Sequence, residues 1–433
     1  MKTLFLLLCI PLTSFSQKLW TLHDCLQYAQ ENNLSIKQSE VDLKTTQINK
    51  LQAKGAFLPT INGNASYNLN EGKNINPVTN QYENAFFQSA SGGVSVELTL
   101  FAGLQNWRKL QQAHLNQLAA QYQLDKIKDN IQLMIINAYG EVLSYKEQLK
   151  NLKTQIEVSK ESIQRTTHLI EAGALPKGDI YEAEAQKLTQ EQQVIATENA
   201  LFIAKMGLAQ LLLLKNYQDF EIADASFDVI NNDILNKTPQ EIYLRAKEIM
   251  SDIKIADTNV QLAETALKLS QSSYSPRLSA QWGYSSRWSK NQLQDFWKQL
   301  DANKGMYAGL SLNIPILNGF STLGNVKQQH LNLQKAQFEK TQTELTTEKN
   351  IYQAYTDATN AKKLYEASQK TVQAKQQAFE YATQRHDVGL MNTFDFNQAK
   401  YQFENAQNDT IKAKYQYIFK LKILEYYFSR VVN

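Results

Sequence analysis

Two hydrophobic periods alternate along this chain. From Gly103 to Gly173, and again from Gly319 to Gly389, there is no proline, and glycine interrupts only at Gly140 and Gly324. In the first of these stretches, apolar or small residues recur at Ile127, Ile131, Met134, Ala138, Val142, Tyr145, Leu149, Leu152, Ile156, Ser159, Ile163, Thr166 and Ile170. Steps of three and four average close to the 3.6 residues of a straight helix, which implies weak supercoiling. At 1.5 Å per residue, each stretch predicts a helix of roughly 105 Å. Such a helix needs neighbours along its whole length. Asp179 to Leu214 and Thr393 to Phe428 supply them, helical in pattern and following a short turn. Further helices are predicted over about 21–56 and 239–272, the second with Thr238 as its cap and Pro239 in its first position.

Between the opening helix and the long one, the period falls to two. Ile61, Gly63, Ala65, Tyr67 and Leu69 alternate with Asn62, Asn64, Ser66, Asn68 and Asn70, and Val94, Val96, Leu98 and Leu100 alternate with Ser95, Glu97 and Thr99. The same happens later with Leu278, Ala280, Trp282 and Tyr284, and with Ala308, Leu310, Leu312 and Ile314. These four segments, about 59–70, 92–101, 276–288 and 306–316, have the length and alternation of tilted membrane-spanning β-strands. A soluble sandwich is the competing assignment, but the Asn, Ser and Gly of the polar face favour a wet lumen.

The recurrence is a duplication. Gly103 and Gly319, His114 and His330, Gly173 and Gly389, Asp179 and Asp395, and Ala183 and Ala399 are each 216 positions apart, while Thr21 and Thr238, and Pro59 and Pro276, are 217 apart. The predicted organisation is a first repeat over 17–214, a linker over 215–237 and a second repeat over 238–433. Each repeat runs helix, strand, strand, long helix (about 103–171 or 319–387) and helix. An open sheet edge cannot face lipid, and four strands are too few to close a barrel. The barrel must be shared, either by two chains with eight strands or by three with twelve.

Composition fits this picture. The 433 residues are 20% charged and 43% hydrophobic, with 16 Gly and 7 Pro, as expected of a folded chain with few loops. A balance of 45 basic and 42 acidic residues leaves +3, too little to attract nucleic acid. Lys2, the run Leu4 to Ile10 and Ser14-Phe15-Ser16 form an expected signal peptide over 1–16. Cleavage would leave Cys25 as the only cysteine, so no disulfide within the chain is expected. Lipidation at Cys9 is disfavoured by the preceding Leu8.

Arg385, Gly389, Leu390, Asp395 and Ala399, at spacings of four, six and four around the distal turn, resemble the helix-tip pattern of the TolC-like family of trimeric outer-membrane efflux channels. The first repeat keeps Gly173, Asp179 and Ala183 but has Leu169 in place of the arginine. The resemblance covers nearly the whole mature chain. It implies a mainly α fold with a membrane β-barrel portion: a homotrimer with twelve strands in outer-membrane lipid and an α-helical tunnel in the periplasm. It also implies a passive, non-enzymatic exit duct of a tripartite efflux or type I secretion system, working with a periplasmic membrane-fusion adaptor protein and an inner-membrane pump of RND or ABC type. Carried over, Gly173, Leu175, Arg385, Gly389, Leu390 and Met391 would contact the adaptor, and Asp179 and Asp395 would form the gate constriction. The family's basic clamp falls on Met391 and a second acidic position on Gln398, implying a different or sparser set of closing contacts.

From the residues alone, Asp179 and Asp395 are equally well explained as caps of the returning helices. The five histidines, His23, His114, His168, His330 and His386, show no metal-ligand spacing, and no catalytic or phosphate-binding motif is present, so neither cofactor nor metal is expected. Trp282, Trp288, Trp297 and Tyr284 suit an interfacial aromatic girdle, with loop packing or polysaccharide binding as competing uses. The rival to a channel is a secreted coiled-coil or adhesin stalk, which explains the helices but not the four strands.

Overall fold

The computed structural model describes residues 19–75, 80–173, 175–215, 217–224, 233–290, 292 and 294–429. The expected signal peptide and part of the expected linker lie outside them. In order, the elements are β1 (Leu19–Trp20), α1 (Leu22–Asn32), α2 (Leu34–Gly55), β2 (Thr60–Ile75), β3 (Tyr82–Ala102), α3 (Gln105–Glu171), α4 (Gly178–Leu211) and β4 (Glu221–Ile222). A 3-10 turn (Asp233–Asn236) leads to α5 (Pro239–Ile249), α6 (Ser251–Gln271), β5 (Arg277–Ser289), α7 (Phe296–Ala302), β6 (Gly305–Asn313), α8 (Ser321–Asp387) and α9 (Thr393–Ser429). Among the described residues no helix is long and apolar enough to cross a membrane.

The chain packs into two compact units, and each draws on both repeats. One comprises the residues up to Ser39 with Leu124–Ser251 and the residues from Glu344; the other comprises Glu40–Gln123 and Asp252–Thr343.

The first unit is helical, and its core repeats itself. One apolar cluster joins Cys25, Ala29, Ile135, Tyr139, Val142 and Leu208 to Tyr415 and Ile418 of α9. The other joins Ile242, Ala246, Ile351, Ala358 and Leu424 to Tyr417 and Leu421, also of α9. Cys25 and Ile242, and Ala29 and Ala246, stand 217 apart, while Ile135 and Ile351, and Leu208 and Leu424, stand 216 apart. The duplication therefore places equivalent side chains at equivalent points of two cores. Gly140 suits this packing, since a Cβ at that position would run into the Phe419 ring unless the ring moved. β1 and β4 pair in parallel beside the first cluster, and the Tyr139 hydroxyl donates to the carbonyls of Trp20 and Ala223 at 3.3 and 3.0 Å. Burial pushes that phenol up to about 12.

The predicted opening helices are each broken in two. Asn33 and Met250 adopt extended backbone after α1 and α5. At the first break Asn33 Oδ1 accepts from Ser35 N at 2.9 Å while its Nδ2 donates to the Leu211 carbonyl at 3.1 Å, so one side chain caps a helix and ties it to another. Thr21 and Thr238 cap α1 and α5 with reciprocal partners Asp24 and Glu241, and Pro239 begins α5 as expected.

The second unit holds a four-stranded antiparallel sheet in the order β2-β3-β5-β6. The register puts Val94 beside Gly63 and Tyr284, Val96 beside Ile61 and Trp282, and Ala280 beside Leu310. One face thus collects Ile61, Tyr67, Val94, Val96, Leu98, Leu278, Ala280, Trp282, Leu310 and Leu312. The other collects Asn62, Asn64, Ser95, Glu97, Gln281, Ser285 and Ser311. The first hairpin is longer than expected, since β3 begins at Tyr82 rather than near 92 and runs through Gly92 and Gly93. Those glycines stay in register and carry the strand onward. In the second hairpin the connection folds into α7, which the alternating pattern did not predict.

Candidate functional site at the helical tips

The distal turns belong to the helical unit. At the end of α8, Gly389 N donates to the His386 carbonyl at 3.0 Å and Leu390 N to the Arg385 carbonyl at 2.8 Å. These paired bonds close the helix around a left-handed residue, and Gly389 has φ 73°. Gly173 repeats this at φ 74°, with its N donating to the Ile170 carbonyl at 3.0 Å. Glycine meets this backbone without the Cβ penalty, which accounts for both positions in the sequence pattern. Arg385 turns back on its own turn, its Nη2 donating to the Leu390 carbonyl at 3.1 Å. It therefore braces the loop, while Val388, Leu390 and Phe394 stand exposed as an apolar tip. Leu175 and Met391 are half-buried.

The two aspartates differ. Asp395 is exposed and sits three residues after Asn392. Asn392 Oδ1 accepts from Asp395 N at 2.8 Å, and Asn392 Nδ2 donates to Asp395 Oδ2 at 2.9 Å. Asn392 thus caps α9, and the Asp395 carboxylate holds the side-chain amide of that cap in place. Asp179 is half-buried and accepts from Thr393 Oγ1 at 2.9 Å, joining the first tip to the second. Arg165 and Asp387 add an ion pair at 2.9 Å between α3 and α8. His386 stacks on Phe396 with centroids 4.6 Å apart, and its Nε2 lies 3.5 Å from Thr393 Oγ1.

Behind the tips runs a polar seam. Lys400 Nζ donates to Ser159 Oγ at 2.7 Å, Ser159 Oγ donates to Gln190 Oε1 at 2.7 Å, and Gln190 Nε2 donates to Glu404 Oε2 at 2.8 Å. The ammonium of Lys400 lies 3.8 Å from the Glu404 carboxylate, and both side chains are buried. Burial lowers the Lys400 pKa and raises that of Glu404, while their mutual attraction opposes both shifts. Gln155 with Gln407 at 3.2 Å and Asn151 with Asn408 at 2.8 Å continue the seam along α3 and α9. Nothing in the tip pattern pointed to this set. Its signal in the sequence was Lys400 and Glu404, opposite charges four apart on α9.

The arrangement can hold helices together and let them part, and it can present charge. Among the described residues no group of three or more His, Cys, Asp or Glu could hold a metal ion.

The family model described as "Outer membrane efflux protein" matches residues 25–212 and 243–424, one segment in each repeat. The outer membrane efflux protein BepC of Brucella suis is 23% identical over 393 residues, covering 90% of this chain and 80% of that protein. The outer membrane protein TolC of Vibrio cholerae is 20% identical over 422 residues, covering 96% and 93%. Among solved structures, the Campylobacter jejuni CmeC outer membrane channel superposes with TM-score 0.82 at 18% identity, covering 94% of this chain and 85% of that one. The Vibrio cholerae outer membrane protein VceC gives 0.79 at 15%, covering 94% and 96%.

Proposed function

We propose that this chain, which belongs to the outer membrane efflux protein family, is a passive exit duct built as a homotrimer. Membership makes it an efflux protein of the outer membrane. The observation that carries the oligomeric reading is the sheet: one apolar face, one polar face, and β2 and β6 at its two edges. In lipid an unpaired edge costs several kcal/mol per backbone group, about the cost of removing an amide from water without a partner. Pairing β6 of each copy with β2 of the next satisfies both edges and gives twelve strands around a polar lumen. The rival stalk leaves this sheet without a use.

The remaining parts follow as roles. The exposed apolar tip of Val388, Leu390 and Phe394 suits docking against a periplasmic adaptor protein, with Gly173, Leu175, Gly389 and Met391 shaping the turns and Arg385 bracing one of them. Three copies of exposed Asp395 around one axis would form a negative collar favouring cations, whereas Asp179, bonded to Thr393, would close the tips against each other. An inner-membrane pump would supply energy and substrate choice, in an efflux or a type I secretion system. No step of catalysis is assigned to the chain.

The native mass of detergent-extracted mature protein, corrected for bound detergent, is expected at three chain masses. A monomer would remove the shared barrel. In planar bilayers Asp395→Ala should raise single-channel conductance or weaken block by divalent cations, and an unchanged channel would take Asp395 out of the constriction.

A further inference from the structure

The connection between β5 and β6 folds into α7 and lies on one particular face of the sheet. The Trp288 ring packs against Phe296 with centroids 5.6 Å apart, and Ser286 Oγ donates to the Leu300 carbonyl at 2.5 Å. The β5 register is unbroken from Ala280 to Ser289, so Ser286 and Trp288 share the face of Ala280, Trp282 and Tyr284. α7 therefore lies on the apolar side of the sheet, over its end at Ser286 and Trp288, and leaves the polar face of Gln281, Ser285 and Arg287 open. Its attachment is built. Gln299 is buried beneath it, accepting from Ser289 N at 2.9 Å and donating to the Gln294 carbonyl at 2.6 Å.

On the side of α7 away from the sheet, Trp297 is 77% exposed and meets Phe296 edge to face at 5.1 Å. Lys290 and Lys298 are exposed nearby, and Asp301 is paired with Lys304 at 2.6 Å. A tilted strand crosses the hydrocarbon layer in about ten residues. Counted from Leu278, that brings β5 to the far boundary near residues 286–289, where α7 is attached. An amphipathic indole beside lysines at that depth has the chemistry of the zone between acyl chains and headgroup phosphates.

We propose that α7 is an interfacial anchor, seated in the outer leaflet with Phe296 and Trp297 among the acyl-chain ends and Lys290 and Lys298 toward the lipid phosphates. This rests on the reading of the sheet as one third of a barrel. Its consequence is that the connection fixes the depth of the barrel in the bilayer instead of arching over the lumen.

The test places a nitroxide label at Trp297→Cys in the full chain, with buried Cys25 left in place, reconstituted in vesicles of phosphatidylethanolamine and phosphatidylglycerol. Leu310→Cys on the apolar face and Ser95→Cys on the polar face are labelled in parallel. The label at 297 should collide with dissolved oxygen more than with a water-soluble nickel chelate, as at 310 and opposite to 95. Adding Lys298→Glu should raise its nickel accessibility. A label at 297 as open to nickel as that at 95, or closed to both reagents, overturns the anchor while a lipid-exposed 310 leaves the barrel standing. A nickel-accessible 310 overturns the barrel reading itself.

Discussion

The helix α9 passes through two environments without changing its secondary structure. Toward the tip its inward positions are Thr393, Asn397, Lys400, Glu404, Gln407 and Asn408; farther on they are Ile411, Tyr415, Ile418, Leu421 and Leu424. The spacing of three and four continues across the change, so the geometry of contact with α3 is kept while its chemistry is replaced. In the apolar part the contact is non-directional burial, which resists separation because every exposed methylene costs about 0.8 kcal/mol. In the polar part each bond can be exchanged for one with water, and its net worth is about 0.5–1.5 kcal/mol, or about 1.5–3 kcal/mol where Lys400 or Glu404 takes part. Lys400 and Glu404 also carry the cost of leaving water. One helix is therefore held by apolar burial at one end and by exchangeable polar bonds at the other, the distribution that the proposed opening of the tips would use.

The comparison breaks most readily at the fastened end. Leu424 is fully buried among Ile242, Ile351 and Leu421. Leu424→Ala should lower stability by about 2–5 kcal/mol, read from denaturant unfolding of the detergent-solubilised protein by circular dichroism. A loss no larger than that of a surface substitution would mean that this region is not the fastening. The reverse experiment makes the seam resemble the core. Lys400→Met combined with Glu404→Leu should be neutral or stabilising by up to about 4 kcal/mol, since a buried ion pair is replaced by apolar volume. Amides of α9 near residue 400 should then exchange with solvent more slowly, and channel opening in bilayers should become rarer. Faster exchange would show that the polar groups hold the seam more tightly than apolar packing does.

How much of this the sequence disclosed follows from what each feature depends on. The long helices and alternating strands depend on local period, and the duplicated offsets reinforced that signal, so they were legible. Gly173 and Gly389 were legible too, because only a left-handed turn calls for glycine after so long a helix. The breaks at Asn33 and Met250 were not, since Asn33 is held by the Leu211 carbonyl, 178 residues away. The tetrad of Ser159, Gln190, Lys400 and Glu404 was hidden for the same reason, as three helices must meet before it exists. For Asp395 the residue pattern left capping and gating equally open. The structure supplies the cap through Asn392, and a cap does not exclude a charge facing an axis.

A smaller effect tests the link between the two tips. Thr393 donates to Asp179 at 2.9 Å and is itself buried. Thr393→Val keeps the shape and removes the donor, so a loss of about 1 kcal/mol is expected, confined to the tips. Faster amide exchange at residues 173–183 and 389–397, with the apolar part of α9 unaltered, is the predicted pattern. Equal acceleration along the whole helix would show that tip and core do not open separately.

The last contrast is between two carboxylates on opposite sides of the change. Glu404 has its pKa raised, by burial first, with Lys400 and Gln190 opposing. Asp357 has its pKa lowered, chiefly by the hydrogen bond from Lys420 at 2.9 Å and then by Gln353. A group raised on folding contributes stability in full below its unfolded value, about 4.3 for Glu, and that contribution is lost as pH rises through the folded value. A group lowered on folding contributes above its unfolded value, about 3.9 for Asp, and that contribution is lost as pH falls through the folded value. Acidification from neutrality therefore protonates Glu404 first and relieves the cost of its buried charge, before it weakens the ion pair at Asp357. Carbon-13 NMR of labelled carboxylates, with Glu404→Gln and Asp357→Asn to assign the signals, should show Glu404 titrating above the ordinary glutamate range and Asp357 below the ordinary aspartate range. If Glu404 titrated as a free glutamate, water would already reach the seam at rest, and the releasable end of α9 would be open rather than poised to open.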